Sequence, residues 1–382
     1  MVSLVPQQRP HVPASELFPL APVISYFVPM DYRFDPAKGL EFGLYTLGDH
    51  LPNPLTGERI TAQERIREIV ELARLADQAG IDFFSVGESH QEYFATQANA
   101  VVLAAIAEAT ESIRIGSSST IISTSDPVRV YENFATLDLL SGGRAEIVAG
   151  RASRVGLFDL LGYDVADYEE LFEEKFELLL QINAQPVVTW EGQFRAPLRG
   201  AEILPRPVGG TLPIWRAVGG TPASAVKAGR QGVPIYLAHL GGPVSSFRQM
   251  LDLYRETARQ SGHDPAALPV ATAGFFYAAG TSQEALRDLY PHINEGMKKT
   301  NGRGFPKQSF AQGVDPRNVM NIGSPQEIIE KILYQREMFG HQRYIGQMDF
   351  GGMPFENLRR NVEIIGEEIL PAIRKYTREV AA

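Results

Sequence analysis

Residues 112–150, SIRIGSSSTIISTSDPVRVYENFATLDLLSGGRAEIVAG, decide the fold class. A short apolar run at 113–117 reads as a strand, and 127–141 as a helix opened by Asp126 and Pro127. Residues 145–149 read as a second strand after the Gly142-Gly143 turn. Strand, helix and strand within about 40 residues is one βαβ step, whose two strands lie parallel in one sheet.

The same step extends in both directions. Upstream, 40–45 reads as a strand. A helix over 61–79 places Ile66, Ile69, Val70, Ala73 and Leu75/Ala76 at helical spacing, and Thr61 with Glu64 forms a capping box before it. A strand at 82–86 and a helix at 96–110 complete the upstream half. Downstream, a helix follows with its face on Tyr168, Leu171, Phe172, Phe176 and Leu179, and then the rhythm breaks. Segments 187–194 and 202–207 read as an inserted hairpin. The alternation resumes with strands at 212–218, 234–238, 270–278 and 343–349 and helices at 221–231, 243–261, 283–299, 324–339 and 354–378. The Gly/Pro/Asn-rich stretch 300–319 is too long for an ordinary connection and is expected to be a lid or a disordered loop. Eight strands, each followed by a helix, predict a (β/α)8 TIM barrel with insertions after strand 4 and before strand 8. The expected division is an N-terminal extension over 1–40 and one barrel domain over 41–382. A doubly wound open sheet is the competing fold, but residues 43–48 lack its glycine fingerprint.

Composition narrows the partners. Lys+Arg 36 against Asp+Glu 45 leaves a net charge of −9, so neither nucleic acid nor an anionic membrane is an expected partner. Cys 0 excludes a disulfide framework, a thiolate metal site and a cysteine nucleophile. Residues 1–22 lack the basic start and apolar core of a secretory signal, and a cytoplasmic location is expected.

In such a barrel the chemistry sits just past the strands' C-terminal ends. There the chain carries Glu88, Ser89 and His90; Ser117 to Thr120; Gly150, Arg151, Ala152 and Ser153; Gly219, Gly220 and Thr221; His239; and Asp349. The glycine pair opens a helix whose first turn holds Thr221 and Ser224. Free N–H groups, the helix dipole and two hydroxyls suit a phosphate dianion; the same residues also read as a simple N-cap. Arg151 could neutralise an anion at the barrel mouth or pair with an acid such as Asp159 or Glu88. His90 and His239 are candidate proton carriers. No H-x-H or H-E-x-x-H pattern and no strand-end lysine is present, so a metal hydrolase and a Schiff-base enzyme are not expected. Glu88 and Asp349 form the one obvious carboxylate pair for a glycosidase, and the alternative is that Glu88 orients the adjacent histidine. What remains is a site that lets an organic cofactor do the hard chemistry.

Several of these segments resemble one family. They are LYTLGDH at 44–50, VGESH at 86–90, SDPVRV at 125–130, FATLDLLSGGRAEI at 134–147, and Gly162-Tyr163-Asp164 with Tyr168. Together they are similar to the bacterial luciferase-like, flavin-dependent monooxygenases, from about residue 41 to about residue 376. The resemblance implies FMN across the barrel mouth. Its phosphate would rest on Gly219, Gly220, Thr221 and Ser224 with Gly150 and Arg151 beside them, and its ring against Ser117, Ser118 and Thr120. His239 joins the cofactor-contacting set, and His90, Arg151 and Tyr168 form the catalytic one. Residues 300–319 fall where the family has a mobile active-site loop. The departure is Glu88-Ser89-His90, where close relatives have Gly-Glu-His-His, which bears on substrate contacts at Ser89. The resemblance also implies a two-component monooxygenase that takes reduced FMN from a separate reductase and uses O2 on a small apolar or organosulfur substrate, acting as a homodimer. An F420-dependent hydride-transfer enzyme and a non-catalytic flavin-binding protein are the alternatives; net acidity favours FMN over the acidic-tailed F420.

Overall fold

A computed structural model describes residues 31–152 and 156–379. Most of the 1–40 extension, and Ser153, lie outside the described residues.

Eight parallel strands close on themselves. Glu41–Thr46, Phe83–Val86, Arg114–Ser117, Ala145–Gly150, Ile214–Val218, Ile235–Ala238, Val270–Ala278 and Arg343–Gln347 pair in that order. The last pairs back with the first, Glu41 opposite Arg343. This is the (β/α)8 barrel, and closure rules out the open sheet. Nearly every strand position is buried, which is why the strands read as mostly apolar runs rather than alternating ones; of the charges they carry, Glu41, Arg114, Glu146 and Arg343 are paired with one another.

The helices form the outer ring. Ala62–Gln78 begins at the Thr61/Glu64 capping box, and Pro127–Leu140 at Asp126, whose carboxylate accepts from the amides of Val128 and Arg129. The helix after strand four is Tyr168–Ala184, and the insertion that follows it is an antiparallel hairpin of Val187–Trp190 with Leu198–Glu202. The second hairpin strand therefore precedes the expected 202–207. Pro205 and Pro207 have no N–H to give a ladder, so the run cannot pair where its composition suggested. A short helix, Gly156–Leu161, was not expected.

Residues 300–319 also differ from expectation. The helix Ser282–Asn301 ends on Gly302 in the left-handed conformation, and a short helix, Lys307–Ala311, and a 3-10 turn, Gln312–Val314, follow. Phe310 is buried, its ring 5.3 Å from Tyr290 and 5.7 Å from Phe305. These apolar anchors order a stretch that its Gly, Pro and Asn content marked as loose.

The N-terminal end of the barrel is filled. Arg343 donates to both oxygens of Glu146 at 2.8 and 2.9 Å and to Glu41 at 2.8 Å; Trp215 donates to Glu146 at 2.8 Å, and Arg114 pairs with Glu41. Tyr32 closes over this layer with its ring 4.8 Å from Trp215 and its hydroxyl donating to the Ile214 carbonyl at 2.8 Å. Phe34 lies under the Arg343 guanidinium at 5.2 Å. Among the described residues no helix is long and apolar enough to cross a membrane.

Candidate active site

With one end filled, space remains at the other. A cavity of about 430 Å³ opens at the C-terminal ends of the strands, within the size range of small-molecule sites. Residues from strand ends one to eight contribute to it, among them Tyr45, Glu88, Ser118, Arg151, Gly219 and Gln347.

One wall is built for an anion. The helix Pro222–Gln231 points its N-terminus at the cavity, and Thr221 at its N-cap position makes no side-chain cap bond. The capping alternative thus leaves the hydroxyl unspent, and Thr221 lines the cavity. At Gly219 and Gly220 an added Cβ would meet nothing within 4 Å, so the backbone faces open space. Arg151 donates from Nη1 to Ser224 Oγ at 3.2 Å, while its buried Nε and Nη2 have no hydrogen-bond partner. Its nearest acids are not Asp159 or Glu88 but Glu169 and Glu173, both 3.6 Å from Nη2.

A second layer fixes that guanidinium. Arg151 lies 4.4 Å over the Phe172 ring, and Arg216 lies 4.7 Å over the same ring. Arg216 is fully buried and grips Glu173 through two bonds of 2.7 and 2.8 Å. Burial alone would raise the Glu173 carboxyl, but the hydrogen bond and charge of Arg216, with Lys227, hold it at about 2. Glu173 is therefore a fixed negative charge, and Arg151 keeps two donors for something else.

Across the mouth, Ser118 and Ser119 line the cavity, and Ser118 shares a 2.7 Å hydrogen bond with the Tyr236 hydroxyl. Glu88 organises this edge. Its backbone N–H donates to the Ser119 carbonyl at 3.0 Å, one carboxylate oxygen accepts from the Ile121 N–H at 2.8 Å, and the other lies 2.7 Å from His90 Nε2. His90 itself is not a lining residue; it stands behind Glu88 as its partner. Tyr168 lines the cavity, with its hydroxyl donating to the Ala152 carbonyl at 2.7 Å.

Six of the cofactor-contact assignments, Ser117, Thr120, Gly150, Gly220, Ser224 and His239, are not lining residues; Gly150 faces the Ser119 side chain, and Ser224 stands behind Arg151 as its hydrogen-bond partner. Ser117 donates its hydroxyl to the Val148 carbonyl at 3.1 Å and accepts from the Val148 N–H at 2.9 Å. The Thr120 hydroxyl is engaged by Asn99. His239 is fully buried against Phe247, Phe339 and Tyr344, and an added Cβ at Gly274 would meet its ring. Inward and outward side chains alternate along a strand, and Tyr236 and Ala238 face the cavity, so His239 points away from it. Asp349 does not line this cavity: its Oδ2 accepts from Thr46 and from Arg65 while its buried Oδ1 has no hydrogen-bond partner, so it does not face Glu88 across the cavity as half of a carboxylate pair. Tyr45, Gln347, Phe275 and Phe350 line the cavity and were not singled out from sequence.

The model of the luciferase-like monooxygenase family matches residues 40–342. The chain belongs to that family. A relative from Bacillus subtilis (strain 168), N-acetyl-S-alkylcysteine monooxygenase, is 29% identical over 302 residues, covering 74% of this chain and 86% of the relative. Among solved structures, monooxygenase RslO1 from Streptomyces bottropensis superposes with a TM-score of 0.73 at 26% identity, covering 87% of this chain and 99% of that one. The oxygenating constituent of 3,6-diketocamphane monooxygenase from Pseudomonas putida, in complex with FMN, gives a TM-score of 0.70 at 18% identity, with 87% and 98% covered. An F420-dependent secondary alcohol dehydrogenase shares the fold with a TM-score of 0.67 at 19% identity, covering 88% of this chain and 99% of that one.

Proposed function

We propose that this protein is a two-component flavin monooxygenase that binds reduced FMN, supplied by a separate reductase, and uses O2 on a small organic substrate. The observation that carries the reading is the pair of buried Arg151 nitrogens that make no hydrogen bond, one of them 3.6 Å from Glu169 and Glu173, beside the N-terminus of the Pro222–Gln231 helix. A guanidinium with two unspent donors, a glycine backbone open to the cavity and two hydroxyls fit a phosphate monoester.

In this reading Gly219, Gly220, Thr221, Ser224 and Arg151 hold the phosphate, and the Ser118–Ser119 edge backs the ring. Bound flavin would supply the electrons that activate dioxygen. The protein's own part is to orient, to exclude water and to manage a proton. Leu47, Ile121, Phe275 and Phe350 keep the chamber apolar, and Glu88 fixes His90 Nε2 at 2.7 Å as a proton holder behind the cavity wall. Tyr168, tied to Ala152, positions the strand-four loop that carries Arg151.

Deazaflavin F420 is the second reading, supported by the fold shared with F420-dependent enzymes. The net charge of −9 disfavours its acidic tail. A non-catalytic flavin carrier is the third reading, and it requires that no space for a substrate remain beside the bound cofactor. Absorbance titrations with FMN and F420, followed by oxygen uptake with reductase and NADH, test all three. Tight binding of F420 with no FMN binding would replace the first reading by the second. FMN binding without oxygen uptake across a panel of aldehydes, ketones and thioethers would favour the third.

A further inference from the structure

The wall opposite the anion site carries a donor that the protein does not use. Gln347 is 3% exposed, and its Nε2 has no hydrogen-bond partner. Tyr45 donates its hydroxyl to Gln347 Oε1 at 2.8 Å and so holds the amide by its other end. The two residues stand side by side on the first and eighth strands, one step beyond the Leu44–Gly346 register pair, and both line the cavity. Around them the wall is carbon: Leu47, Ala273, Phe275 and Phe350.

A buried N–H without an acceptor is costly, so a site that keeps one is complete only when a ligand supplies the acceptor. The ligand's charge is constrained as well. Among the described lining residues the only charged side chains are Glu88 and Arg151, on strand ends two and four, and neither belongs to this wall. A carboxylate or sulfonate placed here would meet no counter-charge, and burying it unpaired is strongly unfavourable. A carbonyl oxygen meets both requirements.

We infer that Gln347 is the specificity-determining residue of the substrate chamber, its Nε2 donating to the carbonyl oxygen of an uncharged, apolar substrate. The inference rests on the flavin reading, which assigns the Arg151 wall to the cofactor and leaves strands seven, eight and one to the substrate. Tyr45 positions the amide so that its donor end faces the chamber.

Cyclohexanone, methylenecyclohexane and cyclohexanecarboxylate share one ring and differ in the group offered to Gln347. Each is titrated into FMN-loaded protein, read by perturbation of the flavin's visible spectrum, and into FMN-free protein, read by the thermal midpoint. The ratio of ketone to methylene affinity cancels the transfer of the ring itself. Gln347→Leu is expected to lower that ratio about ten-fold, the worth of one buried hydrogen bond whose donor is otherwise left unmade. Tyr45→Phe frees the amide and lowers the ratio part of the way, and it serves as the test if the leucine variant does not fold. A ratio unchanged within two-fold in the substituted protein, or tightest binding by cyclohexanecarboxylate, overturns the assignment. If the wild-type protein discriminates the probes in the thermal assay but binds no FMN, the flavin reading fails and the Gln347 contact stands.

Discussion

Replacing Arg151 by alanine tests the anion wall most directly. Two of its nitrogens are buried without hydrogen-bond partners, and a hydrogen bond to a charged group contributes about 1.5–3 kcal/mol. The two together would give up to about 6 kcal/mol, reduced because the carboxylates of Glu169 and Glu173 at 3.6 Å already satisfy part of the charge. A net loss of about 3 kcal/mol is expected, roughly a hundred-fold in Kd for FMN. Riboflavin, which lacks the phosphate, is the internal control. Titrating both ligands into both proteins by quenching of flavin fluorescence closes a cycle that isolates the phosphate–guanidinium coupling from any general loosening of the site. The riboflavin affinity is expected to change by less than about three-fold, since ring contacts are left in place. If FMN affinity falls by less than three-fold, or if FMN and riboflavin weaken equally, Arg151 does not bind the phosphate and the orientation of the cofactor argued above is wrong.

Three further outcomes follow from the buried charges. Burial lowers the His239 imidazole to about 4 from an ordinary 6.5, so the unfolded chain takes up the proton first and stability falls as pH drops from about 6.5 to about 4. His239→Leu should remove about 3 kcal/mol of that acid loss in denaturant melts while leaving FMN affinity unchanged; an altered FMN affinity would return His239 to the site. The carboxyl of Glu173, held at about 2 rather than 4.5, contributes stability that is present above pH 4.5 and lost as pH falls toward 2, about 3 kcal/mol in all. Melts of Glu173→Gln should lose about 3 kcal/mol less than the wild type over that window, and a slope equal to the wild type's would refute the role given to Arg216. Arg343→Met leaves Glu146 buried with Arg114 as its remaining cation and should cost about 3–5 kcal/mol by urea denaturation; a loss below 1 kcal/mol would show that the charged layer is dispensable.

Most of the barrel was legible because helix caps and apolar runs are local signals. Thr61 with Glu64, Asp126 with Pro127, and the run over residues 270–278 needed no tertiary information. The anion wall was legible for the same reason: a glycine pair, two hydroxyls and a helix start lie within six residues of sequence. What failed was facing. Ser117 and Ser118 are neighbours in the chain, yet one is consumed by the Val148 backbone and the other lines the cavity; His239 follows Ala238 but points the other way. The two-residue period, carried past each strand end, would have separated them and would have singled out Tyr45 and Gln347. For residues 300–319 the disordered-loop alternative fails because composition was weighed without Phe305 and Phe310, whose packing orders the stretch.

The plugged end of the cylinder has a consequence for traffic. With Tyr32, Phe34, Trp215 and the arginine–glutamate layer stopping the bottom, everything that enters must leave by the same door. A two-ended tunnel could discharge product from beneath while its tenant stayed in place; a cup cannot. The order of arrivals and departures is therefore set at a single rim, where Arg151 and Gln347 stand on opposite sides.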